Sequence, residues 1–311
     1  MVGDYKRSFW NRLARDLRRN YVLYLFLVPG IIAIFLFNYM PMYGIQIAFR
    51  NFKPARGIVG SQWVGMKNFI KFFDSYKFTL VLKNTITLSL YGLFAGFPMP
   101  IIFAITLNQM RGNRTKKLVQ TVSYMPHFIS TIVICGMIRM FLNPNFGVYG
   151  NLCRALGFDT PSSLMNNPAA FRHIYVISGI WQNLGWDSII YIAALTAIDP
   201  TLYEAATVDG ASNFQKIWYI DVPSLIPTAT LLLIMSCGSI MNSNFEKAYL
   251  LQTAMNMETS ELISTYTYKM GLLEYQYSFS AAVDLFNTVI NFILLTTVNT
   301  ISRKLGGTSM W

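Results

Sequence analysis

The sequence predicts an all-α integral membrane protein with six transmembrane helices. Three observations carry that prediction. Of 311 residues, 53% are hydrophobic and only 13% are charged, about half the charged share of a soluble domain. The uncharged runs are about as long as the roughly 20 residues that a helix needs to cross the hydrocarbon core. Aromatic residues make up 15% of the chain, which suits a protein anchored at two membrane interfaces by Trp and Tyr.

The elements follow in order. Residues 5–20 place Phe9, Trp10, Leu13 and Leu17 on one helical face, with Arg12, Arg15, Arg18 and Arg19 mostly elsewhere. This predicts an amphipathic helix lying along the membrane surface. Asn20 to Phe49 carries no charge and is the first span. Its apolar run is too long for a signal peptide, and no small-residue cleavage site follows. The outer loop 39–79 is long, and Trp63 to Phe73 predicts a short helix within it. Asn84 to Met110 and Leu118 to Ile138 are the second and third spans. His173 to Ile198, with Asp187 as its one charge, is the fourth. Val222 to Phe245 is the fifth. The sixth, around Leu285 to Ser302, starts upstream near Ser280 and takes in Asp284.

The net charge of +11 is a topology signal and does not point to nucleic acid. With the N-terminus inside, the inner segments hold 13 Lys and Arg in 62 residues, and the outer segments hold 10 in 106. The inner density is about double, as the positive-inside rule requires, so both termini are expected in the cytoplasm. Arg139 is expected to snorkel to the outer interface. Cys135, Cys153 and Cys237 are far apart and form no metal-ligand spacing.

One inner segment departs from the pattern. Residues 199–223 contain one Lys and four acids, Asp199, Glu204, Asp209 and Asp221. Asp199 before Pro200 reads as an N-cap and first helical position. Gly210 supplies a positive-φ turn that ends the helix. Ser212 and Gln215 form a capping box for a second helix. Leu202, Ala206, Val208, Phe214, Ile217 and Trp218 give the two short helices apolar surface to bury.

Glu204-Ala205-Ala206-x-x-Asp209-Gly210-Ala211, with Val222-Pro223 downstream, resembles the EAA loop of ABC importer permeases. Its place between the fourth and fifth of six spans fits that family. Leu27-Val28-Pro29-Gly30, Trp63-Val64-Gly65, Met125-Pro126-His127-Phe128 and Gly185-Trp186-x-x-Ile189-Ile190-Tyr191 look like the subgroup that imports complex oligosaccharides, such as pectin or alginate fragments. The resemblance implies a second permease subunit forming a heterodimer, two ATPase subunits, and an extracellular solute-binding protein. It implies that the EAA loop is the coupling helix, seated on the ATPase through Glu204, Ala205, Ala206, Asp209, Gly210 and Ala211. It implies a bacterial plasma-membrane location and alternating access driven by ATP. The chain has no G-x-x-x-x-G-K-[ST] motif, so ATP and Mg belong to the partner ATPases. Its parts are then a surface helix 1–20, a first span and outer loop 21–79, a permease core 80–302 carrying the loop 199–223, and a tail 303–311.

The solute path is expected at polar and aromatic residues inside spans. A charge at the bilayer centre costs about 2.5–3.5 kcal/mol on insertion scales, so such groups face a cavity or a partner. The candidates are Trp181, Gln182, Asn183, Trp186 and Asp187 in the fourth span, and Asn242, Asn244 and Glu246 at the end of the fifth. Asp284, Asn287 and Asn291 are candidates in the sixth. Hydrogen bonding between helices is the competing role for all of them, and packing is the expected role of His127. A self-contained secondary transporter or channel for a polar solute also accounts for the spans. It does not require the acidic, doubly capped loop, and it predicts transport without an ATPase. With only two histidines and no HExxH or paired acids, no catalytic or metal site is expected.

Overall fold

The structure, a computed structural model, describes residues 15–110, 112–158, 162–304 and 309–310. Most of the predicted surface helix 5–20 lies outside the described residues. Contacts divide the chain into two compact units, Met1–Asn68 and Phe69–Trp311.

The first unit is led by helix α1 (Tyr21–Ile34). The helical path runs on through a wider turn and a tighter 3-10 stretch to Phe49, so that Tyr21–Phe49 is a stretch of 29 residues. No residue of α1 is buried against the chain, although the helix is apolar all round, the pattern of a membrane span. A hairpin follows that the all-α expectation did not include. Strand β1 (Arg50–Lys53) pairs antiparallel with β2 (Gly57–Trp63), with Arg50 opposite Trp63. Arg50 also lies 5.5 Å from the Trp63 ring centroid. Phe49 stacks on the same ring at 5.5 Å. Trp63 therefore closes a strand, and the short helix α2 (Lys67–Phe73) starts after it.

The second unit is helical. Helices α3 (Phe78–Gly96) and α4 (Pro98–Gln109) form one 32-residue span. The expected third span is a broken one. Helix α5 (Asn113–Tyr124) and helix α6 (Thr131–Phe141) meet at 98°. Pro126 withdraws a backbone donor at the break, and the Ser130 hydroxyl caps α6 by accepting from the Val133 N–H. After α7 (Val148–Ala155) comes the long helix α8 (Pro168–Thr196), capped by Asn167. It turns through 69° into α9 (Pro200–Val208). Helix α10 (Asn213–Lys216) leads through a wide turn into α11 (Val222–Gly238). Short helices α12 (Phe245–Leu251), α13 (Met257–Ser260) and α14 (Ile263–Tyr268) precede α15 (Tyr277–Lys304). As expected, α15 takes in Ser280 and Asp284. Among the described residues four stretches are thus long and apolar enough to cross a membrane, and the count reaches six if each bent pair is one span.

Three apolar clusters hold this unit together. Ala104 of α4, Tyr191 and Leu195 of α8 and Leu225 of α11 form one. Leu88 of α3, Cys135 of α6, Phe171 of α8 and Leu251 of α12 form another. Phe72, Val81, Ile263, Tyr266 and Phe279 form the third. Gly185 lets α8 pass close to α5: a Cβ there would lie 2.1 Å from the Ser123 carbonyl oxygen. Arg139 is exposed. Its guanidinium donates to the carbonyls of Leu250 and Gln252, where the end of α12 leaves acceptors unsatisfied.

Candidate functional site

Two features of the second unit have the chemistry of a working site. One is the loop 199–223 and the other is a cavity between the helices.

The loop is built as its residues dictate. The Asp199 carboxylate caps α9 by accepting from the Thr201 N–H at 2.9 Å. That donation holds the Asp199 carboxyl below the usual carboxylate range. At the other end the Ala211 N–H donates to the Ala206 carbonyl at 2.8 Å and the Gly210 N–H to the Thr207 carbonyl at 3.1 Å. This is a Schellman closure, and Gly210 takes the φ of +76° that it needs. The Ser212 N–H donates to Gln215 Oε1 at 2.7 Å, completing the capping box that starts α10. Lys216 Nζ donates to the Thr207 hydroxyl at 2.8 Å and ties α10 to α9.

Glu204, Ala205, Asp209 and Gly210 are exposed, and Ala206 and Ala211 are partly so. The apolar residues of the loop do not bury one another. Leu202, Val208, Phe214, Trp218 and Tyr219 are all more than half exposed. Of these, Phe214, Trp218 and Tyr219 fall within Asn213–Gly238, a stretch long and apolar enough to cross a membrane, and Leu202 and Val208 lie on α9 before it.

Behind the exposed face lies a buried acid. Asp221, with no solvent exposure, accepts from the Tyr203 hydroxyl of α9 and from Gln109 Nε2 of α4, the latter at 2.9 Å. Burial and the Asp221 carboxylate together raise the Tyr203 phenol above its ordinary range. One carboxylate thus joins α9, the start of α11 and the end of α4. Tyr203 and Gln109 were not singled out in the sequence. Tyr203 lies one position before the EAA run, and nothing but the fold gives it a partner 18 residues away.

The cavity has a volume of about 920 Å³. Its walls come from α3, α4, α8 and α11, the segment 239–244 and Lys247 of α12. Six of the eleven candidates for a solute path line it: Gln182, Asn183, Trp186, Asp187, Asn242 and Asn244. Trp181 does not line it and is half exposed. Glu246, Asp284, Asn287 and Asn291 are also absent from its lining. Asn287 and Asn291 both donate to Asn242 Oδ1 at 3.0 Å and join α15 to the end of the fifth span. His127 stacks on Trp186 at 4.4 Å between centroids, with 3° between the planes. Its Nδ1 meets Asn183 Oδ1 at 3.0 Å. These contacts fix one flat aromatic face and one amide beside the cavity, the groups that a sugar ring stacks on and hydrogen-bonds to.

Residues 96–306 match the family described as binding-protein-dependent transport system inner membrane component. The chain is 40% identical over 302 residues to the polygalacturonan/rhamnogalacturonan transport system permease protein YteP of Bacillus subtilis (strain 168), covering 97% of this chain and 94% of that one. It is 37% identical to protein LplB of the same organism, covering 93% and 90%. Its fold matches a chain in the crystal structure of a bacterial ABC transporter involved in the import of the acidic polysaccharide alginate. The TM-score is 0.86 at 39% identity, covering 94% of this chain and 99% of that chain. A second alginate transporter structure, in complex with alginate pentasaccharide-bound periplasmic protein, matches with a TM-score of 0.87 at 38% identity.

Proposed function

Because the chain belongs to the binding-protein-dependent transport system inner membrane components, the permease subunits of ABC importers, we propose that it carries a polysaccharide-derived oligosaccharide inward through the cavity beside α8, driven by partner ATPases through the loop 199–223. The observation that carries this reading is the Asp221 junction. It joins the exposed loop to α4 and α11, two helices that wall the cavity.

In this reading a second permease subunit pairs with the chain, with unlike subunits favoured. Two ATPase subunits, which hold ATP and Mg, bind the loop from the cytoplasm, and an external binding protein delivers the sugar. Both termini are cytoplasmic. Glu204 pairs with a basic group on the ATPase, and Ala205 and Ala206 keep that surface flat enough for close approach. The exposed apolar residues, from Leu202 to Tyr219, supply the area that such a contact buries. When the ATPases close, α9 moves, and the Tyr203–Asp221–Gln109 junction passes the movement to α11 and α4. Trp186 gives the sugar a stacking face and Gln182, Asn183, Asn242 and Asn244 give it hydrogen-bonding partners. Asp187 is the acid of the path.

The test is sugar import and ATP hydrolysis by the complete complex in proteoliposomes. Gly210→Pro, which breaks the closure of α9, is expected to leave the complex assembled but abolish sugar-stimulated hydrolysis. Trp186→Ala is expected to cut import while unstimulated hydrolysis persists. Wild-type import and stimulation in both variants would overturn the proposal.

A further inference from the structure

Lys247 is 3% exposed. Its ammonium is buried with no hydrogen-bond partner, and the residue lines the cavity. The ion pairs among the described residues are Lys77–Glu261 and Lys269–Glu261, so no acid among the described residues pairs with Lys247. The recorded neighbour of the ammonium is an aromatic face, the Tyr175 ring at 5.2 Å. Gly179 leaves room beside it, since a Cβ there would sit 3.3 Å from Nζ. A buried cation without a partner is costly, and an anion that reached it would relieve that cost.

The cavity gives that anion a position. Ser243 also lines the cavity, and its hydroxyl is buried without a partner. Asp187, the cavity's own acid, is eight residues beyond Gly179 on α8, about 12 Å along a helix. Glu246, next to Lys247 in sequence, is exposed. The positive end of the cavity is therefore set apart from its negative end by more than one sugar ring.

We propose that Lys247 is the anchor for a carboxylate on the solute, with Ser243 as a second donor, so that this cavity takes uronic-acid oligosaccharides in preference to neutral ones. The proposal rests on the importer reading above and names the substrate class of that same cavity.

The experiment compares a galacturonic acid oligomer with its methyl ester as imported sugars, using the complete complex in proteoliposomes. One binding protein serves every reaction, so a change in the acid-to-ester ratio belongs to the permease. Wild type is expected to favour the acid. Lys247→Met and Lys247→Gln are expected to lower the acid-to-ester ratio about tenfold, the size of one charge-assisted hydrogen bond, and Lys247→Arg is expected to keep the preference. Lys247→Met removes an unpaired buried charge, so its melting temperature is expected to equal or exceed wild type. If Lys247→Met lowers both sugars alike, or weakens pairing with the second permease, Lys247 is a structural cation and the proposal is wrong. A wild type that does not discriminate also overturns it, and leaves the importer reading standing. A wild type that hydrolyses ATP but imports neither sugar overturns the importer reading as well.

Discussion

The Tyr203 hydroxyl donates to the fully buried carboxylate of Asp221, and through it the helix that carries Glu204, Ala205 and Ala206 is fastened to the body of the membrane domain. Tyr203→Phe removes that donor and leaves Gln109 as the remaining recorded side-chain partner of Asp221. An under-satisfied buried acceptor costs about 1–3 kcal/mol. The expected result is a lower melting temperature in detergent and fewer sugars imported per ATP, with unstimulated hydrolysis retained. Unchanged import per ATP would show that the stroke travels by another route.

The cap of α9 has a pH signature. Asp199 is held below the usual carboxylate range by the Thr201 N–H. A depressed folded value means that the stabilisation is present above the unfolded value of about 4 and is lost as pH falls through the folded one. Hydrogen exchange at the Thr201 amide is therefore expected to be unresponsive to the cap's titration near neutral pH. Protection is expected to fall only on acidification below that value. Asp199→Ala is expected to remove this acid-dependent change.

Glu261 is a staple between distant segments. It is 4% exposed and pairs with Lys77, before α3, and with Lys269, after α14. Its backbone carbonyl also accepts from Asn84 at 3.2 Å. Glu261→Gln leaves two lysines around a neutral amide and is expected to cost about 3 kcal/mol, at the low end for breaking a buried pair. The loss is expected to persist at high salt, because buried pairs are weakly screened. Thermal melts of the purified complex at two salt concentrations measure both effects.

Local chemistry was the legible part of this chain. Asp199, Gly210, Ser212 and Gln215 form the caps that their types and spacing predict, because a cap needs only neighbours along the chain. The break in the third span was hidden by a count of uncharged residues, which measures length and ignores direction, although Pro126 and Ser130 were the available signs. Trp181 was grouped with Gln182 and Asn183, yet one helical residue is a rotation of about 100°, and it falls outside the cavity lining. Lys247 was not singled out in the sequence, because its burial arises from α12 packing on α6 and α8. The hairpin 50–63 was missed because its run is too polar and too short to stand out beside the membrane spans.

The most direct test is oligosaccharide import into proteoliposomes holding the chain with its second permease, ATPases and binding protein, with and without ATP. Import that requires ATP, and that falls in Tyr203→Phe and Gly210→Pro while the complex stays assembled, is the predicted result. Import by the chain in the absence of its ATPases, or import unaffected by both substitutions, would contradict the account.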